Sequence, residues 1–188
     1  MLYHFVSEHW IAEPPDRIFH FFADPDNLPR IMRPSQQARI ERVELVPPPP
    51  HDRQPVEALA GTGSELYLSF RAVPWHSARI LWHARIVEFE WNRYFRDVQV
   101  EGPMNYWTHR HEVEPSTCDG RDGTLVRDLV EYDPGFGVLG ALGDALFIRH
   151  ALRTVFNYRQ QALKRLLVPP QVSENLRKLG EQLRRLSK

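Results

Sequence analysis

The sequence predicts an α+β fold in which a curved antiparallel sheet is held against one long C-terminal helix around a partly polar interior. Three observations carry this. From Gly63 onward the chain alternates apolar and polar residues in runs separated by turn signals, the period of strands with one buried face. Two of these runs, Met104 to Glu114 and Thr124 to Asp133, lead into Ala141 to Val168, where apolar residues recur at helical spacing. A single arginine, Arg159, sits in the middle of that apolar stripe and needs a partner inside the protein.

Taken in order, Leu2 to Ala12 reads as the first strand, stopped by Pro14-Pro15. Asp16 to Ala23 is a short apolar helix, and a second short helix follows with Asp24 as N-cap and Pro25 at its first position. Gln37 to Val46 reads as a strand, and Pro47 to Pro50 then forbid ladder pairing, so 47–60 is a long loop that is either a lid or an insertion. Strands follow over 64–72, 77–90, 94–101, 104–114 and 124–133, broken at Pro74, Trp91-Asn92, Gly102-Pro103 and the Gly120 to Gly123 turn. The glycines 135, 137, 140 and 143 around Pro134 form a lead-in to the long helix. After Pro170, Leu176, Leu179, Leu183 and Leu186 lie beside Arg177, Lys178, Arg184 and Arg185. That amphipathic tail, 169–188, is expected to pack on the 1–168 domain or to pair two copies as a homodimer, in preference to touching an acidic partner or a membrane surface, because its apolar stripe is narrow and has no aromatic residues.

Bulk properties narrow the function. With 188 residues the chain holds one domain plus a tail. Lys+Arg and Asp+Glu both number 24, so no global field favours nucleic acid or an anionic membrane. The N-terminus carries neither a signal-peptide pattern nor an apolar run able to span a membrane, which leads to the expectation of a cytoplasmic protein. The lone cysteine, Cys118, lies in a polar turn and reads as a loop thiol. Gly61-Thr62-Gly63 precedes a strand and so lacks the helix N-terminus of a phosphate cradle.

Alternation separates two faces. His83, Arg85, Arg96, Arg110, Glu112, Arg127 and Glu131 fall on one set of positions, a lattice of charge expected to face water. The other set collects Leu66, Leu68, Phe70, Trp82, Ala84, Ile86, Phe95, Asp97, Gln99, Trp107, His109, His111, Val126, Asp128, Val130 and Tyr132. A tight turn at Gly102-Pro103 puts Asp97 opposite His109, and a loop of about ten residues after Glu114 puts Asp128 near His109 on its other side. Asp97, His109 and Asp128 would then form a polar layer across three strands. The helix opposes it with Ala141, Ala145, Ile148, Leu152, Val155, Phe156, Ala162, Leu163 and Leu166, and Arg159 is expected to pair with Asp97 or Asp128 in bidentate fashion.

The segments GPMNYWTHRHEVE, GTLVRDLVEYDPGFGVLG and FNYRQQAL, together with Trp10, Pro15 to Asp24 and Asn27-Leu28-Pro29, resemble the bacterial SRPBCC ligand-binding proteins, START-like relatives of the birch pollen allergen. The resemblance covers residues 2 to about 168. It implies the helix-grip fold: a seven-stranded antiparallel sheet wrapped around a long C-terminal helix, two short helices after the first strand, and an internal cavity for hydrophobic ligands. The family also includes polyketide aromatase/cyclases and ubiquinone-binding proteins, so it does not select an activity. The proline-rich stretch and the tail depart from its pattern.

The reading that follows is a protein that encloses a small, largely hydrophobic molecule, lipid-, polyketide- or quinone-like. Phe70, Trp82, Phe95, Trp107, Val130, Tyr132 and Phe156 would form apolar walls, and Asp97, His109, His111, Asp128 and Arg159 would orient the guest. The alternative is a cyclase or dehydratase using His109 with Asp128 or Asp97 as an acid–base pair, since burial and a neighbouring carboxylate move an imidazole pKa in opposite directions. A purely structural or regulatory module would instead have a solid interior. His109-x-His111 with a carboxylate also matches a facial metal triad, but any alternating strand with two histidines shows that spacing, so no metal or other cofactor is assigned.

Overall fold

The computed structural model describes residues 1–51, 56–71, 77–135 and 147–167. Strand β1 (Tyr3–Ile11) is followed by helix α1 (Pro15–Ala23), a 3-10 turn (Pro25–Asn27) and the single-turn α2 (Leu28–Ile31). Strands β2 (Arg39–Glu44), β3 (Glu65–Phe70), β4 (Ile80–Glu90), β5 (Tyr94–Glu101), β6 (Tyr106–Cys118) and β7 (Arg121–Asp133) come next, and helix α3 (Arg149–Leu167) closes the described chain. The seven strands form one antiparallel sheet in the order β1-β7-β6-β5-β4-β3-β2. This is the helix-grip architecture, with two short helices after the first strand.

Local chemistry explains the turns. The Asp24 carboxylate accepts the Asp26 N–H at 3.0 Å and so caps the 3-10 turn, with Pro25 at its first position. Between β6 and β7 the hairpin is tighter than the sequence reading had it. Cys118 pairs Arg121 across a two-residue loop, Asp119-Gly120, in which both residues have positive φ, 50° and 71°. Asp-Gly is the dipeptide that such a primed turn favours, because its twist matches that of the strands. The residues assigned to a ten-residue loop are therefore strand, and Asp128 stands opposite His111, with His109 opposite Val130. The pairing of Asp97 with His109 is as expected.

The convex face carries the charge. Arg127 pairs with Glu8 and with Glu114 at 3.1 Å, Arg96 pairs with Glu88, and the Arg110 guanidinium lies 3.6 Å from the centre of the Tyr94 ring. His83 departs from this exposed lattice: it is buried under Tyr67, with ring centroids 4.1 Å apart, and its Nε2 is 2.8 Å from Glu65. An aromatic neighbour across the strands shields it from water.

The concave face and α3 enclose two apolar clusters. The larger gathers Ile11, Ile18, Phe19, Ile86, Phe95, Val113, Val126 and Leu163. The smaller gathers Val130, Tyr132, Leu152 and Phe156. On α3 the apolar stripe is buried at Leu152, Phe156, Ala162, Leu163 and Leu167, whereas Leu166 is turned outward. The first predicted turns of that helix, Gly137 to Gly143 and the whole tail lie outside the described residues. Of the proline-rich loop, both described ends are fastened: the Trp91 indole donates to the Pro49 carbonyl at 2.8 Å, and the Ala60 N–H donates to the Ala23 carbonyl at 2.8 Å. No described helix is long and apolar enough to cross a membrane.

Gly123, read as part of a turn, lies inside β7, where β1 crosses so closely that an added Cβ would meet the Ile11 carbonyl oxygen and the Trp10 ring. Backbone oxygen cannot swing aside, so Gly123→Ala is expected to destabilise the fold by about 2 kcal/mol. Urea unfolding checks this: the midpoint should fall with the slope unchanged.

Candidate functional site

Each interior element changes from apolar to polar at the same level. On β7 the inward residues run Val126, Asp128, Val130, and on β6 they run Trp107, His109, His111, Val113. On β5 Phe95 gives way to Asp97, on β1 Phe5 gives way to Ser7 and His9 before Ile11, and on α3 Phe156 is followed by Arg159 before Ala162. A polar layer thus crosses the interior between the two apolar clusters.

Asp128 is its centre. It is only 1 % exposed, and its Oδ1 accepts a hydrogen bond from His109 Nε2 at 3.0 Å and lies 3.0 Å from His111 Nδ1. Burial pushes the Asp128 carboxyl up, but the Arg159 charge and the two imidazoles outweigh it and hold it well below its ordinary value. Burial, helped by the neighbouring His111, pulls His109 down to about 4 against the pull of Asp128 and Asp97. His109 is therefore neutral near pH 7, with Nε2–H committed to Asp128 and Nδ1 facing Asp97, whose Oδ2 is 4.0 Å away. The same Asp97 oxygen is 3.4 Å from His111 Nε2. Phe95 stacks on His111 at 4.5 Å, and Phe156 meets His109 edge-on at 5.3 Å.

Arg159 does not form the bidentate pair expected of it. Among the described residues no carboxylate lies within ion-pair distance; Nη2 donates to His111 Nδ1 at 3.3 Å and Nε is buried without a hydrogen-bond partner. Arg159 and Asp128 both approach His111 Nδ1, and the attraction between their charges acts beyond ion-pair distance. The rings of Phe22 and Phe156, 5.2 and 5.9 Å away, complete the surroundings of the guanidinium.

A cavity of about 640 Å³ opens between the concave face, α1, α2 and α3. Of the residues singled out in the sequence, Phe70, Trp82, Phe95, Asp97, Trp107, His109, His111, Phe156 and Arg159 line it. Asp128, Val130 and Tyr132 do not; Val130 and Tyr132 pack in the smaller core cluster and Asp128 stands behind the two histidines. Residues that the sequence did not assign to the site also line it, among them Phe22, Leu28, Ile31 and Met32 from the paired short helices and the residue after them. Ser7, His9 and Gln160 belong to the polar layer and were likewise not singled out. Gln160 donates to Ser7 Oγ at 2.7 Å, and Ser7 pairs Asp128 across the strands. The alternation of β1 was the available signal.

No protein-family model matches this sequence, and no curated protein does either. Solved structures share its fold. Protein TTHA0849 from Thermus thermophilus is 16 % identical, with a TM-score of 0.59 over 87 % of this chain and 95 % of its own. Ginseng major latex-like protein 151 from Panax ginseng is 14 % identical, with a TM-score of 0.59 over 89 % of this chain and 99 % of its own. Norcoclaurine synthase from Thalictrum flavum, also solved with dopamine and hydroxybenzaldehyde, is 15 % identical, with a TM-score of 0.59 over 89 % of this chain and 87 % of its own. These likenesses establish the fold that the resemblance implied.

His9 gives the interior a measurable pH dependence. Both of its ring nitrogens are buried without a hydrogen-bond partner, and burial, with Lys164 and Arg159 nearby, pulls it down to about 4 although Asp128 opposes this. The unfolded chain protonates near 6.5, so between about pH 6.5 and 4 it binds more protons than the native state, and stability falls as pH falls. His9 and His109 each contribute a loss on the order of 3 kcal/mol across that window. Urea unfolding against pH should show this slope, and His9→Leu should roughly halve it, leaving the share of His109, with stability at pH 7 nearly unchanged.

Proposed function

We propose that this chain binds a small, largely hydrophobic molecule, lipid-, polyketide- or quinone-like, in the cavity between the sheet and α3. The observation that carries the reading is the 640 Å³ space itself, walled by Leu66, Phe70, Trp82, Trp107 and Phe156, with Asp97, His109, His111 and Arg159 converging on one side. Apolar walls with a few placed polar groups are how small-molecule sites gain affinity and orientation. A solid interior of the kind a purely structural module would have is absent at this place. The fold shared with norcoclaurine synthase, which is solved with two aromatic small molecules, supports a guest of that size.

The hydrogen bond between His109 and Asp128 favours one second reading, a cyclase or dehydratase. Asp128 orients the imidazole and leaves Nδ1 with a free lone pair, the arrangement of a general base. A pKa of about 4 makes that base weak at neutral pH, which favours binding over catalysis. Turnover would require His109, and His109→Ala would abolish it while leaving affinity for the guest nearly intact.

Native mass spectrometry of freshly purified protein should show one bound organic molecule per chain, released unchanged on denaturation. Ala84 lines the cavity from β4, and Ala84→Trp should fill it. The variant is expected to weaken binding of an apolar fluorescent probe at least tenfold with the fold intact by circular dichroism. Unaltered probe affinity would place the guest elsewhere.

A further inference from the structure

We propose that Asp97, His109 and His111 form a binding site for a divalent transition-metal ion of the Zn²⁺ class, with one coordination position open to the cavity. The spacing of two histidines on one strand carried no such assignment. The convergence of β5 and β6 does, because one ligand atom from each of the three side chains falls within 4.8 Å of the others.

The distances suit an ion at their centre. Donors about 2.0 to 2.1 Å from a tetrahedral metal stand about 3.3 Å apart. Asp97 Oδ2 is 3.4 Å from His111 Nε2 and 4.0 Å from His109 Nδ1, and the three ligand atoms lie within 4.8 Å of one another, so side-chain rotations that draw them together by up to about 1.5 Å close the shell. At 4.0 Å the second contact is too long for a hydrogen bond, and His109 Nδ1 has no other partner among the described residues. Both imidazoles are only 5 % exposed.

The groups behind the ligands match as well. Metal-binding histidines donate their other ring N–H to a carboxylate, which sets the tautomer and raises ligand basicity. Asp128 Oδ1 stands 3.0 Å from His109 Nε2 and 3.0 Å from His111 Nδ1, the nitrogens that face away from Asp97. Arg159 donates to that same His111 Nδ1, and the metal would select the tautomer that gives its proton to Asp128 instead. Two carboxylates against one guanidinium leave this interior with a net negative charge, which favours a cation. Phe22, Phe95, Trp107 and Phe156 surround the site with apolar walls, and all three ligands border the cavity, so the fourth position would hold water or a polar atom of a guest. The proposal does not depend on which organic molecule, if any, the cavity holds.

The test uses the full chain freed of metal by a chelator and titrated calorimetrically with Zn²⁺ alone. One saturable equivalent is expected. Asp97→Asn and His109→Gln should each weaken it at least tenfold, Asp128→Asn tenfold or more through the ligands it orients, and the exposed His4→Gln not at all. Asp97→Glu keeps a carboxylate and should retain affinity within tenfold. Co²⁺ should give visible d–d bands in the wild type that are lost in the Asp97→Asn variant. Circular dichroism confirms folding of each variant, and Asp97, the least buried of the three, carries the test if His109→Gln does not fold. Absence of saturable binding, or affinity and Co²⁺ bands unchanged in folded Asp97→Asn, would overturn the proposal.

Discussion

A carboxylate removed from water must be met by donors or positive charge, and the interior of this protein is arranged around that demand at Asp128. His109 donates to its Oδ1, His111 Nδ1 stands 3.0 Å from the same oxygen, and the Arg159 charge lies nearby, while Oδ2 has no hydrogen-bond partner among the described residues. Its two imidazole partners must sit two residues apart on one strand face, which alternation on β6 supplies. They must also project beside Asp128, which requires β6 and β7 to pair in this register and no other. A slip of one residue would turn Asp128 to the convex face and leave both histidines without it. The Asp119-Gly120 turn locks that register at one end of the hairpin, and the inward polar residues of β1, β5 and α3 fall into place at the same level.

The same demand separates the two faces of the sheet by mechanism as well as by composition. Ion pairs on the convex face, such as those of Arg127 and Arg110, are partly solvated and contribute little each. The buried layer differs: leaving Asp128 without its donors would cost about 3 to 5 kcal/mol, because the charge would remain in a low-dielectric interior. Polarity on one face is cheap and on the other is tightly specified. That contrast is why the buried groups, more than the exposed ones, carry information about function.

Much of this was legible in the residues. Alternation located the inward faces of β3 to β7, the Gly102-Pro103 turn set Asp97 against His109, and the helical stripe marked Arg159 as an interior group. The extent of the β6–β7 hairpin was not legible, because Pro115 and the polar run after it resemble a loop, yet the pleat continues to Cys118. The partner of Arg159 was hidden for a different reason: helical spacing gives a direction, whereas whether a guanidinium meets a carboxylate or an imidazole depends on how far the helix stands from the sheet. Ser7 and His9 alternate as plainly as any inward residues, but only the pairing of β1 with β7 shows that they share a layer with Asp128. The cavity wall from α1 and α2 follows from how the paired helices swing across the sheet, which no local pattern encodes.

Splitting the apolar contacts into two clusters has a consequence for how the molecule breathes. Dispersion contacts are non-directional and fail gradually, whereas a stratum of fixed donors and acceptors fails at once. The cluster of Val130, Tyr132, Leu152 and Phe156 is the smaller, so it opens at lower free energy than the body around Phe19, Val126 and Leu163. Amide hydrogens in the early turns of α3 then exchange with solvent faster than those near Leu163. Local fluctuation can widen one end of the cavity while the other end keeps the chain folded.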